Sequence, residues 1–218
     1  VDYDEVVATQ TVYMATATYA AGWFGGGTDN TTLVEYPADS AKAYRTFDKV
    51  IVTGSGDEEL STIKISTDVP IQNLGGTGLG SVSADALNKV GLYELSLNAE
   101  GVVIGYKQIP TDPVAAYGDV NTSAKTIRVG WTDSEVFAYK DGAKAYMLTS
   151  AGAITDVVAI ADLTDDWNDT TRLYMEDGKI AEMYITVKDG VGEPRANLET
   201  LNKVAWTAGV EAGPSTFN

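Results

Sequence analysis

Four aspartates, Asp162, Asp165, Asp166 and Asp169, fall within eight residues of one polar segment. Carboxylates crowded this closely repel one another unless a cation sits among them. Calcium takes such oxygen ligands from flexible loops, so the segment is a candidate calcium site. It is not an EF-hand, because the alternating aspartates, the central glycine and the closing glutamate are missing. The competing reading is a solvated turn with Asp162 as a helix cap. Asp2, Asp4 and Glu5 form a second acidic group. Aromatic side chains offer a different chemistry. Trp23 and Phe24 stand beside Gly25-Gly26-Gly27 and could present a flat platform for a sugar ring, or fold back onto the core. Trp167 sits inside the acidic segment, whereas Trp131 belongs to the apolar set of an expected strand and Trp206 to the tail. Trp23, Phe24 and Trp167 are therefore the candidate ligand-binding residues. Paired carboxylates can also hydrolyse glycosides, but among 31 acids some pair is always at hand, so pairing alone identifies no site.

Other chemistries are closed. The chain has neither Cys nor His, which removes disulfides, thiol nucleophiles, Ser-His triads and the usual zinc ligands. No catalytic residue and no cofactor is assigned; calcium is the only ion for which a site is suggested. The run Gly75-Gly76-Thr77-Gly78-Leu79-Gly80 matches neither phosphate-loop spacing and no Lys follows in place, so it reads as a turn. Asn30, Asn121 and Asn168 head N-x-[ST] triplets, which are acceptors only in a eukaryotic secretory protein. The 15 basic and 31 acidic side chains give a formal charge of −16. That charge disfavours nucleic acid and anionic membrane. No run of about 18 apolar residues suggests a membrane span. Val1 in place of Met reads as the start of a processed or excised fragment.

The elements that would position these residues are strands. Glu176-Asp177-Gly178 lies between Leu173-Tyr174-Met175 and Ile180 to Val187. Asp-Gly between apolar runs is a strong hairpin signal, because such turns need positive φ. In the second arm Ala181, Met183, Ile185 and Val187 alternate with Ile180, Glu182, Tyr184 and Thr186, which places the first set inside and the mostly polar set outside. Further hairpins are expected around 54–59, 98–101 and 140–142, with strands in 1–19, 126–131 and 155–161. Pro37 to Tyr44 reads as a helical turn after proline, and Ser83 to Leu87 as a short capped helix. Residues 110–123, with two prolines, read as a linker. Residues 198–204 are weakly helical, within a tail expected to fray.

Ser83 to Ile109 and Ala159 to Val187 share an order of parts: an Ala-Asp piece, a Leu-Tyr strand, an acidic-Gly turn and an apolar strand containing Tyr. That order suggests a structural repeat. The run from Thr126 to Val187, including Phe137-Ala138-Tyr139-Lys140-Asp141-Gly142 and Leu173 to Gly178, resembles the repeated β-modules of large Firmicutes surface proteins. Those proteins usually carry S-layer homology domains for wall anchoring, and no anchoring domain is visible here. The resemblance implies an extracellular structural or adhesive module with no catalytic residues.

The expected architecture is mainly β: two tandem small sheet modules, barrel- or sandwich-like, built from hairpins, with one or two short helices. They would occupy residues 1–112 and 119–190, followed by an extension at 191–218. The expected function is a non-catalytic structural or interaction module of a bacterial cell surface. The alternatives are a carbohydrate-binding module using exposed aromatics and a carboxylate glycosidase. Partners would be other surface modules or glycans, with no nucleic acid and no membrane insertion.

Overall fold

The computed structural model describes residues 5–16, 31–36, 39–66, 72–73, 90–130, 135–165 and 169–188. It is mainly β and holds two sheets. The first contains β1 (Ala8–Met14), β2 (Thr31–Tyr36), β3 (Asp39–Val52), β4 (Ser61–Ser66), β5 (Gln72–Asn73), β6 (Gly91–Leu97) and β7 (Val102–Ile109). The second contains β8 (Tyr117–Asn121), β9 (Thr126–Val129), β10 (Glu135–Leu148), β11 (Ile154–Ala159), β12 (Thr170–Glu176) and β13 (Lys179–Thr186). The one helical piece among the described residues is a single 3-10 turn at Ile160–Asp162.

Each sheet closes on itself. In the first, β1 pairs with β6, β6 with β7, β7 with β4, β4 with β3, and β3 returns to β1. In the second, β8 pairs with β9, β9 with β10, β10 with β13, and β13 with β12. Val114, just ahead of β8, bridges to Thr171 on β12 through hydrogen bonds in both directions and completes the ring. Counted from its own first strand, each ring runs first, second, third, fifth, fourth and back to first. Its one parallel neighbour pair is the third and fifth strands, β4 with β7 and β10 with β13. Closure leaves few free edges, and it is the common device by which antiparallel sheets avoid open edges.

Alternation fills both interiors. Val12 and Met14 on β1 pair with Tyr93 and Val50 on the neighbouring strands β6 and β3, and all join one buried cluster with Phe47, Ile65 and Leu95. Ile127, Ala145, Met183 and Ile185 do the same in the second. Asp177 and Gly178 take φ values of 52° and 74° and close the β12–β13 hairpin in two residues, as the sequence indicates. Gly101, at φ 71°, ends the longer turn of the β6–β7 hairpin.

Three expectations are corrected. Asp39 onward is strand β3, not a helical turn, because pairing with β2 and β4 outweighs a short helical preference. Residues 135–148 form one strand, β10, not a hairpin about Lys140-Asp141-Gly142. The register slips there between Tyr139 and Lys144, so the segment is a bulge. Its two halves bind different neighbours, β9 before the slip and β11 after it. The supposed linker contributes β8, with Ala116 and Tyr117 buried, because Tyr117 pairs with Val129 on the neighbouring strand β9 and joins the core of the ring. The helix expected at 83–87, the weakly helical piece at 198–204, the Gly75–Gly80 run and residues 191–218 lie outside the described residues.

Candidate functional site

The described acids of the segment, Asp162, Asp165 and Asp169, do not converge. Asp165 turns toward β8, where one oxygen accepts the backbone N–H of Asp119 at 2.8 Å. Asp169 is buried, and one of its oxygens accepts the N–H of Lys188 at 3.0 Å. That bond fixes the chain leaving β13 against the start of β12. Asp162 is exposed on the 3-10 turn. Asp166, Trp167 and Asn168 lie outside the described residues, as do Asp2, Asp4, Trp23, Phe24, Asn30, Trp131 and Trp206. Glu5 is exposed. Among the described residues no three acids are grouped to hold a metal ion. Asn121 uses its side-chain oxygen to accept the N–H of Ala124 at 2.9 Å, which shapes the β8–β9 turn.

Two cavities open on the second ring. One, of about 310 Å³, is lined by Asp112 and Glu135 above Val114, Val129, Phe137 and Leu173. The other, of about 150 Å³, lies between Thr122, Lys125, Tyr139, Lys140, Asp141 and Gly142. It sits where the β8–β9 turn meets the bulge in β10. Lys125 pairs with Asp141, and that ammonium holds the Asp141 carboxyl below its ordinary range. Lys140 reaches Glu176 at 2.6 Å and Asp177 at 3.2 Å, tying the bulge to the β12–β13 turn. Those contacts raise the Lys140 ammonium, chiefly through the Glu176 hydrogen bond, and lower the Glu176 carboxyl.

The most elaborate polar arrangement lies between the rings. Tyr13, Ile51 and Leu92 point away from the first interior, because each alternates with residues that point inward. They meet Tyr146, Leu148 and Tyr184 from the second ring in one buried cluster. Tyr13 stacks on Tyr184 with centroids 4.0 Å apart and planes 2° from parallel. Tyr146 stacks on the same ring at 5.5 Å. Glu182, only 5% exposed, accepts the Tyr184 hydroxyl on one oxygen and the Gly54 N–H on the other, the latter at 2.8 Å. Burial, with the Glu182 charge adding to it, pushes the Tyr146 phenol up to about 12 and the Tyr184 phenol well above its ordinary value. Burial also raises Tyr13, against the pull of the Arg172 guanidinium.

Sequence reasoning missed this joint. It placed Glu182 and Tyr184 on an outward, mostly polar face, whereas both are buried. The available signal was composition: Tyr184 on β13, and Leu148 beside Tyr146 on β10, put large apolar surface where a solvated face would carry polar residues.

The geometry defines a class: two closed five-stranded β-rings of one pairing order, joined by an aromatic interface. No protein-family model, no curated protein and no solved structure matches the chain.

Proposed function

We propose that this chain is a non-catalytic structural or interaction module of a bacterial cell-surface protein. The observation that carries the reading is where the buried polar chemistry lies. The enclosed carboxylate Glu182 and the three stacked tyrosines join one ring to the other. Both interiors are filled with apolar and aromatic side chains. Such a joint suits a module that bears load or presents a surface. The strand patterns in residues 126–187 that resemble surface-protein modules support the extracellular location. The test is labelling of intact cells of the source organism with an antibody to this chain. Surface label is expected; label that appears only after permeabilisation would overturn the location.

A second reading, carbohydrate binding, is favoured by one specific observation. The pairing order first-second-third-fifth-fourth, with only the third and fifth strands parallel, is that of OB-type barrels. Barrels of that type bind oligosaccharides or oligonucleotides over strands two and three and the loops joining strands one to two and four to five. Fold alone assigns no ligand, and the −16 charge disfavours polyphosphates. In the second ring that region contains the 150 Å³ cavity beside Lys125, Tyr139 and Asp141. In the first, the connection after β1 carries Trp23 and Phe24. A glycan array with Asp141→Ala, Trp23→Ala and Trp167→Ala controls separates the readings. Binding lost in one variant supports a sugar site; an array with no bound glycan leaves the structural reading ahead.

A further inference from the structure

We propose that Lys144 and Glu182 form a two-pronged clamp on the Gly54-Ser55-Gly56 turn, and that this clamp makes the two rings move as one body. The prongs are built by register. Lys144 and Glu182 are paired residues on the parallel neighbours β10 and β13, so their side chains leave the same face side by side. They carry opposite charge and reach opposite polarity in one target. Glu182 accepts the N–H of Gly54 at 2.8 Å, and Lys144 donates to the carbonyl of Gly56 at 2.9 Å. The turn offers both groups at once because Gly54 and Gly56 adopt φ of 74° and 72°. A side chain at either position would strain that shape.

The surrounding contacts explain why a clamp is needed. The apolar cluster of Tyr13, Ile51, Leu92, Tyr146, Leu148 and Tyr184 attracts the rings, but hydrophobic burial is non-directional and would tolerate sliding. Two charge-assisted hydrogen bonds to the ends of one turn do not tolerate it, since a shift of about an ångström breaks their geometry. Glu182 is held in place by the Tyr184 hydroxyl, and the Tyr184 ring is held by Tyr13. One network therefore runs from the clamp through the stack and back into β1. Beyond the stack, Gly152, in the β10–β11 turn, lies so close to Ala15 and Thr16 that a Cβ has no room. Ala15 belongs to the same buried cluster as Tyr13, so this contact extends the joint past the end of β1.

The experiment uses the full chain and residual dipolar couplings, which report the orientation of each ring. In the wild type, couplings from 8–109 and from 114–186 are expected to fit one alignment tensor. Two different tensors in the wild type would overturn the proposal without any variant. In Lys144→Met with Glu182→Met, which removes the ammonium and both carboxylate oxygens, loss of the shared tensor is expected while each ring keeps its own dispersed spectrum. A shared tensor that survives in the double variant would show that the packed cluster, with the close approach of Gly152 to Ala15, fixes the orientation without the clamp, and would also overturn it. If the double variant fails to fold, Lys144→Met alone is read the same way.

Discussion

The two rings share a strand order and differ on their outer faces. In the first, the outward pair on the first and second strands is Tyr13 opposite Ile51, both buried. In the second, the counterpart is Gly118 opposite Arg128, with Arg128 half exposed and 3.2 Å from Asp119. The inward pairs barely differ in kind: Val12 with Val52 in one, Tyr117 with Val129 in the other. Inward residues set the circuit, because any ring of this order must fill its centre. Outward residues decide whether a ring docks or faces water. One strand order therefore supplies a docking face on the first and second strands of one ring and a charged face on the same strands of the other, which docks through its third and fifth strands instead.

The largest predicted effect breaks that comparison at its strongest point. Tyr13→Ala removes a fully buried ring from the stack and is expected to cost about 3–5 kcal/mol in denaturant unfolding, by analogy with large-to-small aromatic substitutions. Arg128→Ala, on the corresponding face of the second ring, is expected to cost less than about 1 kcal/mol, because exposed ion pairs contribute little. Equal costs would mean that the two outer faces are not functionally distinct.

Alkaline pH probes the same joint. A tyrosine whose folded pKa is raised favours the native state while it stays neutral. Its contribution is fully present below the ordinary value of 10.0 and is lost as pH rises through the folded value, about 12 for Tyr146. Tyrosinate absorbance should show a group of tyrosines, Tyr13, Tyr146 and Tyr184 among them, ionising above 10.0 and only as the joint opens. A single titration step for all twelve tyrosines, without loss of structure, would contradict a sealed joint.

The two hairpins between fourth and fifth strands offer a finer comparison. In the first ring the turn is held by a side chain: Asn98, 2% exposed, accepts the N–H groups of Glu100 and Val102, both at 3.0 Å. In the second ring the turn is shaped by its backbone, with Asp177 and Gly178 both at positive φ, and its side chains reach outward to Lys140. Asn98→Ala strands two donors and is expected to cost about 1–3 kcal/mol. Gly178→Ala places a Cβ in the left-handed region and is expected to cost about 1–2 kcal/mol. Chemical denaturation of both variants measures the order; a larger loss for Gly178→Ala would reverse the assignment of which turn leans on its side chain.

What was legible in the sequence follows from range. The Asp177-Gly178 turn, the strands around 98–101 and the strands flanking 54–59 are written in local signals, and the structure has them. The repeat suggested between Ser83–Ile109 and Ala159–Val187 takes in the fourth and fifth strands of each ring. Lys140-Asp141-Gly142 misled because a glycine after Asp signals a bulge as well as a reversal, and only β9 and β11, neighbours of the two halves, decide between them. Glu182 was assigned to a solvated face because its partner, Gly54, lies 128 residues away. No local pattern carries that distance. The acidic segment shows the same limit from the other side: its carboxylates are close in sequence, but Asp165 bonds to β8 and Asp169 to the chain leaving β13.

The smallest expected effect concerns that segment. A melting scan with and without chelator should leave the midpoint unchanged. A bound ion stabilises the native state in proportion to the logarithm of its occupancy ratio, so a structural calcium would give a clear downward shift on chelation. Asp165 already accepts the Asp119 N–H on its Oδ1, and Asp169 is committed to Lys188 inside the protein. An ion would have to compete with one bond and enter a buried position for the other. Asp165→Asn keeps an acceptor for Asp119 and removes the charge, so it too should leave the midpoint near its original value. A chelator-sensitive midpoint that Asp165→Asn abolishes would instead place a cation at this loop. The loop would then join the charged outer face of the second ring as a binding surface with no counterpart among the described residues of the first.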